Sequence, residues 1–204
     1  SSYSVTGVQT CALPIWHHNL LYLTISTGIG SGAVINDQLL LGNKGLAGEF
    51  GHVTVLPDGP MCGCGKRGHI EALSSGTGIL NYLKQQIKNG RHSSLTSLDK
   101  ITGKDITQAA ISGDQLAIEA YERAGKYLGI ALANFLHMLN PSIVIFGGGV
   151  TSAGELLFAP MRQSLQDSIM SPAYLDGLTI TSAKLGDDVG IKGLLALLIT
   201  KTSS

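Results

Sequence analysis

Two hydrophobic rhythms divide this chain. Asn19–Ser26, NLLYLTIS, is a dense run of apolar and β-branched residues that ends at a glycine, the pattern of a buried strand. GAVIND and QLLLG follow and predict a β-hairpin turning near Asn36–Asp37. LPDGP, residues 56–60, is rich in turn formers and introduces a loop. From Ser74 the period lengthens to that of a helix, broken by the polar stretch KNGRHSS around Gly90. The clearest helix runs from Asp114 to Asn140. Tyr121, Ala124, Leu128, Ala131, Phe135 and Leu139 recur at three- and four-residue spacing, Asp114 is placed as the cap, and Pro141 stops the helix. SIVIF (142–146) reads as a short, fully apolar strand leading into GGGV. A helix over about 153–170, a strand LTITSA and a last helix from Asp188 complete the pattern. Strands alternating with helices predict an α/β fold.

Composition narrows the function classes. The 204 residues suffice for one sizeable domain or two small ones, and 44% apolar content permits a large core. Fourteen basic residues balance fourteen acidic ones, so the chain shows no electrostatic footprint for nucleic acid or an acidic membrane surface. No apolar run reaches the roughly 20 residues of a membrane span. Cys62 and Cys64 are separated by one residue, too close for a comfortable disulfide, so reduced, metal-binding thiols in a cytoplasmic setting are expected. VTGVQTCALPI, residues 5–15, resembles the in-frame translation of a sequencing-library adapter. Residues 1–15, Cys11 included, are therefore expected to be a non-native leader on a fragment of a longer protein.

Three motifs carry candidate chemistry. STGIGSG (Ser26–Gly32) lies where the first strand turns back. Phosphate oxygens need converging backbone N–H donors at close range, and glycines leave that approach open. Thr27, Gly28 and Gly30 are the candidates, with an ordinary hairpin turn as the alternative. In FGGGV, Gly147, Gly148 and Gly149 would let a ring or ribose lie against the main chain at the carboxyl edge of the sheet; a plain strand-to-helix turn is the alternative. His52, Cys62, Cys64 and His69 form an H-x9-C-x-C-x4-H set whose nitrogen and sulfur donors suit a closed, structural tetrahedral zinc site. Unrelated cysteines and surface histidines in one loop would be the bland reading. Glu49 and Glu71 flank the cluster; converging carboxylates accept hydrogen bonds from sugar hydroxyls, although either could be a plain surface glutamate.

Taken in order, TISTGIGSGAVINDQLLLGNKGLAGEFGHVTV, CGCGKRGHIEALSSG, the stretch from Ala109 to Val150, and LGDDVGIKGLLAL resemble the ROK family of sugar kinases and sugar-responsive repressors. The resemblance runs from about His18 to the C-terminus. His69 departs from it, standing where the family motif has its last zinc cysteine. The resemblance implies an α/β, actin-like ATPase (ribonuclease H-like) fold. Residues 16–187 would form the large sugar- and zinc-binding domain, and residues 188–204 a helix packing on an N-terminal domain. It further implies sugar contacts from Glu49, His52 and Glu71, and structural Zn²⁺ on His52, Cys62, Cys64 and His69. ATP with Mg²⁺ would have its phosphates at Thr27, Gly28 and Gly30 and its adenosine near Gly147, Gly148 and Gly149. The implied activity is ATP-dependent phosphorylation of a hexose, glucose first, by a homo-oligomer; a sugar-sensing repressor domain is the alternative. The family's catalytic base is an aspartate shortly before the first strand. The first aspartate here is Asp37, and no D-x-G-G-T phosphate motif occurs, so the chain itself is expected not to turn over.

Overall fold

The computed structural model describes residues 17–183. The adapter-like leader and the helix expected from Asp188 lie outside the described residues. Five strands form one mixed sheet in the order β3-β2-β1-β4-β5. They are β1 (Leu20–Ile25), β2 (Ile29–Ile35), β3 (Gln38–Leu39), β4 (Ile143–Gly147) and β5 (Thr179–Ser182). β2 pairs antiparallel with both β1 and β3, whereas β4 runs parallel to β1 and β5 parallel to β4. The β2–β3 turn falls at the expected place, with Asn36 at φ 51° and Asp37 at φ 64°. Asn and Asp tolerate this left-handed backbone better than other side chains, which suits the tight turns that match strand twist.

Helices α1 (Ile70–Ser74), α2 (Gly76–Lys88), α3 (Gly103–Ile111), α4 (Gln115–Leu139) and α5 (Glu155–Ser168) complete the described chain. Alternation along the strands sorts the core into two faces. Leu21, Leu23, Ile25, Val144 and Phe146 join the large cluster built with the helices, while Leu20, Val34, Ile143 and Ile145 form a smaller cluster on the other face. The apolar stripe read along residues 121–139 is the buried face of α4: Tyr121, Ala124, Leu128 and Ala131 are all buried. Asp114 caps it by accepting a hydrogen bond from the Ala117 N–H at 3.0 Å, and Asn140 closes it in a left-handed conformation.

Helix α4 packs directly on α5 because it carries glycine where the two backbones touch. A Cβ at Gly125 would lie 2.5 Å from the Leu157 carbonyl oxygen, and one at Gly129 would lie 2.4 Å from that of Met161. The expected break near Gly90 appears as the loop between α2 and α3. An additional break occurs at Ser75, whose extended backbone ends α1 and whose hydroxyl accepts from the Gly78 N–H at 3.1 Å to start α2.

Candidate functional site

The cysteine loop is folded on itself before any ligand is considered. Met61 bridges to Arg67, the Cys62 N–H donates to the Lys66 carbonyl at 2.8 Å, and the Gly65 N–H donates to the Cys62 carbonyl at 2.9 Å. His69 arrives from the residue capping α1 and is held by a bridge to Thr54; His52 ends the short 3₁₀ turn Phe50–His52. These four residues, distant in sequence by up to seventeen positions, bring one donor atom each within 4.8 Å of one another. Cys62 Sγ is 3.7 Å from His52 Nδ1, and Cys64 Sγ is 3.2 Å from His69 Nδ1. A tetrahedral zinc with bonds of about 2.0–2.3 Å sets neighbouring donors about 3.3–3.8 Å apart, so the set fits that ion after closing by about 1–1.5 Å at most. With His52 Nδ1 in the donor set, its Nε2 is left facing outward, 3.9 Å from Glu49 Oε2. Burial pushes the Cys62 thiol pKa up, so a metal must displace a firmly held proton there.

Glu71 ties this loop to the glycine loop. Its Oε2 accepts a hydrogen bond from the Ile29 N–H at 3.0 Å, and its Oε1 accepts from the Cys62 thiol at 3.4 Å. Gly28 leaves room for that carboxylate: a Cβ there would lie 2.6 Å from Glu71 Oε2 and push it from its place. The glycine loop is fixed from the other side by the start of α2: the Gly76 N–H donates to the Ser26 carbonyl at 2.7 Å, and the Thr77 N–H to that of Thr27 at 3.4 Å. The first N–H groups of α2 therefore hold the loop in place, and its helix dipole, rather than those donors, is what remains for an anion.

Two cavities meet at this loop. One, of about 720 Å³, is lined at one end by Thr27, Gly28, Cys62 and Glu71 and at the other by Tyr82 and Arg123. The second, of about 550 Å³, is lined by Ser26, Thr27, Thr77, Tyr121, Gly149 and Val150 among others. Thr27 and Thr77 border both. The structure thus brings together Thr27, Gly28 and Glu71 on one wall, and Thr27 with Gly149 on the next. Gly30 stands apart, within β2 and paired with Thr24. Gly147 ends β4, and Gly148, at φ 89°, packs over the Ile25 backbone; neither borders either cavity. Glu49 is exposed beside His52 and, like it, lies outside both cavity walls.

The ROK family profile matches residues 13–201. This chain belongs to the ROK family. A glucokinase from Thermotoga maritima is 40% identical over 187 residues, a match that covers 89% of this chain and 58% of that protein. The ROK glucokinase of Streptomyces griseus, solved with glucose and AMPPNP, superposes with a TM-score of 0.78 at 33% identity, covering 92% of this chain and 62% of that one. A ROK transcriptional regulator, homologous to the E. coli MLC protein, superposes with a TM-score of 0.80 at 30% identity, covering 90% and 46%. The chain thus spans little more than half the length of the kinases it matches. The fold is the actin-like ATPase fold of the ROK sugar kinases, and among the described residues no helix is long and apolar enough to cross a membrane.

Sequence reasoning passed over Thr77, Tyr82 and Arg123. Ser75, a serine placed before a helix, is the signal that leads to Thr77. Arg123 carries no such signal, since an arginine between apolar positions of a long helix reads as solvated surface.

Proposed function

We propose that this chain supplies the sugar-reading and nucleotide-binding part of an ATP-dependent hexose kinase of the glucokinase type. The observation that carries the reading is Glu71, a carboxylate stretched between the metal loop and the glycine loop on a cavity wall. His52, Cys62, Cys64 and His69 would hold Zn²⁺, which fixes the loop. A zinc-bound thiolate has no proton to donate, so loading the site would release Glu71 Oε1 to accept from a sugar hydroxyl. Glu71, with Glu49 and the outward Nε2 of His52, reads the hexose. ATP, brought with Mg²⁺, would lie in the adjoining cavity with its base end at Gly149 and its phosphates at Thr27, next to Gly28 on the wall of the first cavity. The polar wall at Thr27 is common to both cavities, as transfer of a phosphoryl group from one ligand to the other requires.

Transfer also needs a base for the attacking hydroxyl. Asp37 does not fill that role. It sits at the β2–β3 turn, paired with His18 at 2.7 Å, at the end of β1 opposite the glycine loop and roughly 20 Å away for a six-residue strand. Among the described residues no aspartate borders either cavity, so on this reading the chain binds sugar and nucleotide without supplying that base. A sugar-sensing regulator domain is the second reading, favoured by the equally close fold of the MLC-like regulator.

Titration calorimetry on the zinc-loaded chain tests this. Glucose is expected to bind, Glu71→Ala to weaken it at least about tenfold, and AMPPNP to bind independently. Glucose bound equally well by folded Glu71→Ala sinks the sugar-site reading. Glucose binding without AMPPNP binding selects the regulator, and robust glucose phosphorylation by this chain refutes the argument about the base.

A further inference from the structure

The 720 Å³ cavity has a second polar end that sugar and nucleotide leave without a role. Its wall carries two formally charged side chains, Glu71 at the loop end and Arg123, from the middle of α4, at the other. Arg123 lays its guanidinium over the Tyr82 ring at 4.6 Å and lies 5.4 Å from the centre of Tyr127. Stacking occupies the face of the guanidinium and leaves the N–H donors in its plane unused. Glu119, one helical turn earlier, is the natural partner for them, but it is already taken. Arg91 reaches it at 2.7 and 2.8 Å, and the Tyr82 hydroxyl donates to it as well. Among the described residues Arg123 has no ion pair. Burial lowers its pKa, with only Tyr127 and Tyr82 opposing the shift, as expected for a cation desolvated without a counter-charge. Asn81 and Gln85, four residues apart on α2, line the same cavity; the Gln85 amide spends one N–H on Asn89 Oδ1 at 3.0 Å and keeps the second.

We propose that this end of the cavity is a subsite for an oxyanion, phosphate or carboxylate, bound by Arg123 with Asn81 and Gln85. A half-buried guanidinium with open in-plane donors matches such a group in shape and charge. Glu71 at the far end accepts hydroxyls, so the whole cavity fits a ligand with a polyol at one end and an oxyanion at the other: a phosphorylated or acidic sugar. The anion subsite stands on Arg123, Asn81 and Gln85; only the identity of the polyol end rests on the reading of Glu71 given above.

Calorimetry with four probes, orthophosphate, glucose 6-phosphate, gluconate and glucose, tests this on the zinc-loaded chain and on Arg123→Gln, with folding checked by circular dichroism. At least one of the three anions is expected to bind the native chain and to lose about tenfold in affinity, about 1.4 kcal/mol, in Arg123→Gln, while glucose changes by less than about twofold. Arg123→Lys, which keeps the charge and loses the fork, is expected to fall between. Orthophosphate binding on its own assigns the subsite to a free anion; binding of the sugar-borne anions alone assigns it to the composite ligand. The proposal is overturned if none of the three anions binds the folded native chain, or if folded Arg123→Gln binds them as tightly. A native chain that fails to bind glucose strikes the sugar reading instead, and the orthophosphate arm still decides the subsite. Should Arg123→Gln not fold, Gln85→Ala carries the test with the same expected direction for the anions.

Discussion

Replacing Asp114 by Asn or Ala should unfasten two parts of the molecule at once. Its Oδ1 caps α4 through the Ala117 N–H, while its Oδ2 accepts from the Ser93 hydroxyl at 2.8 Å, the Ser94 N–H at 2.6 Å and the Ser94 hydroxyl at 2.7 Å. Burial by itself would raise this carboxyl's pKa, but the hydrogen bonds from Ser94, Ala117 and Ser93 outweigh it and bring it down to about 2. Against an unfolded value near 3.8, that difference corresponds to at most about 2.4 kcal/mol. The group is half-buried and partly screened by solvent, so about 1 kcal/mol is the reasonable share. The sign follows from the depressed folded value: the contribution is complete above pH ~4 and fades as pH falls toward ~2. Asp114→Ala also loses the cap, worth about 1 kcal/mol, for a total near 2 kcal/mol at pH 7. Asp114→Asn keeps an amide oxygen for Ala117 and should lose about 1 kcal/mol. Urea unfolding of the native chain and both variants, at pH 7 and again near pH 2.5, measures this. The gap between the native chain and Asp114→Asn should narrow at the lower pH; a gap that stays constant refutes the electrostatic account.

The helix contact and the metal loop give two further expectations. Gly129→Ala places a methyl against the Met161 carbonyl and the Leu165 N–H of α5, and backbone cannot move aside cheaply. The gain of about 1 kcal/mol in helix propensity is outweighed, for a net loss of about 1–2 kcal/mol in urea unfolding. Gly103→Ala, in open space at the start of α3, is the neutral or stabilising control, and stabilisation by Gly129→Ala would contradict the packing. Chain purified without chelator should carry about one zinc by elemental analysis, and Cys62→Ser should reduce it several-fold and lower the thermal midpoint. Zinc-free native chain with an unchanged midpoint would remove the metal from the account.

Sheet and helices were legible because burial imposes its period on the sequence. Residues 19–26 and 142–146 had to be strands, and the stripe from Tyr121 to Leu139 had to face a core. STGIGSG was harder, since glycines in a phosphate loop and glycines in a strand read alike. Only Ser26–Gly28 form the turn; Gly30 and Gly32 are in β2, paired with Thr24 and Tyr22. The glycine that a close contact does require lies elsewhere, at Gly51, where a Cβ would lie 2.2 Å from the Ile29 carbonyl oxygen. The segment carrying Glu49 and His52 lies against β2, with the Ser31 hydroxyl donating to the Gly48 carbonyl and accepting from the Phe50 N–H. Close backbone approach of this kind has no one-dimensional signature.

The same limit separates the two carboxylates that the sequence presented as equals. Glu71 begins a helix and its Oε2 is held by the Ile29 N–H at 3.0 Å, a bond that zinc loading leaves in place, so its position is set before a sugar arrives. Glu49 is exposed and meets only His52 Nε2 at 3.9 Å, too far for a hydrogen bond. Binding through Glu49 must therefore order a free side chain, at a cost of about 0.5–1.5 kcal/mol that Glu71 does not incur. Glu71→Ala should consequently weaken glucose more than Glu49→Ala does in the same titration. The reverse order would mean that the hydrogen bond from Ile29 withholds Glu71 from the sugar, and the reader of the hydroxyls would then be Glu49 with His52.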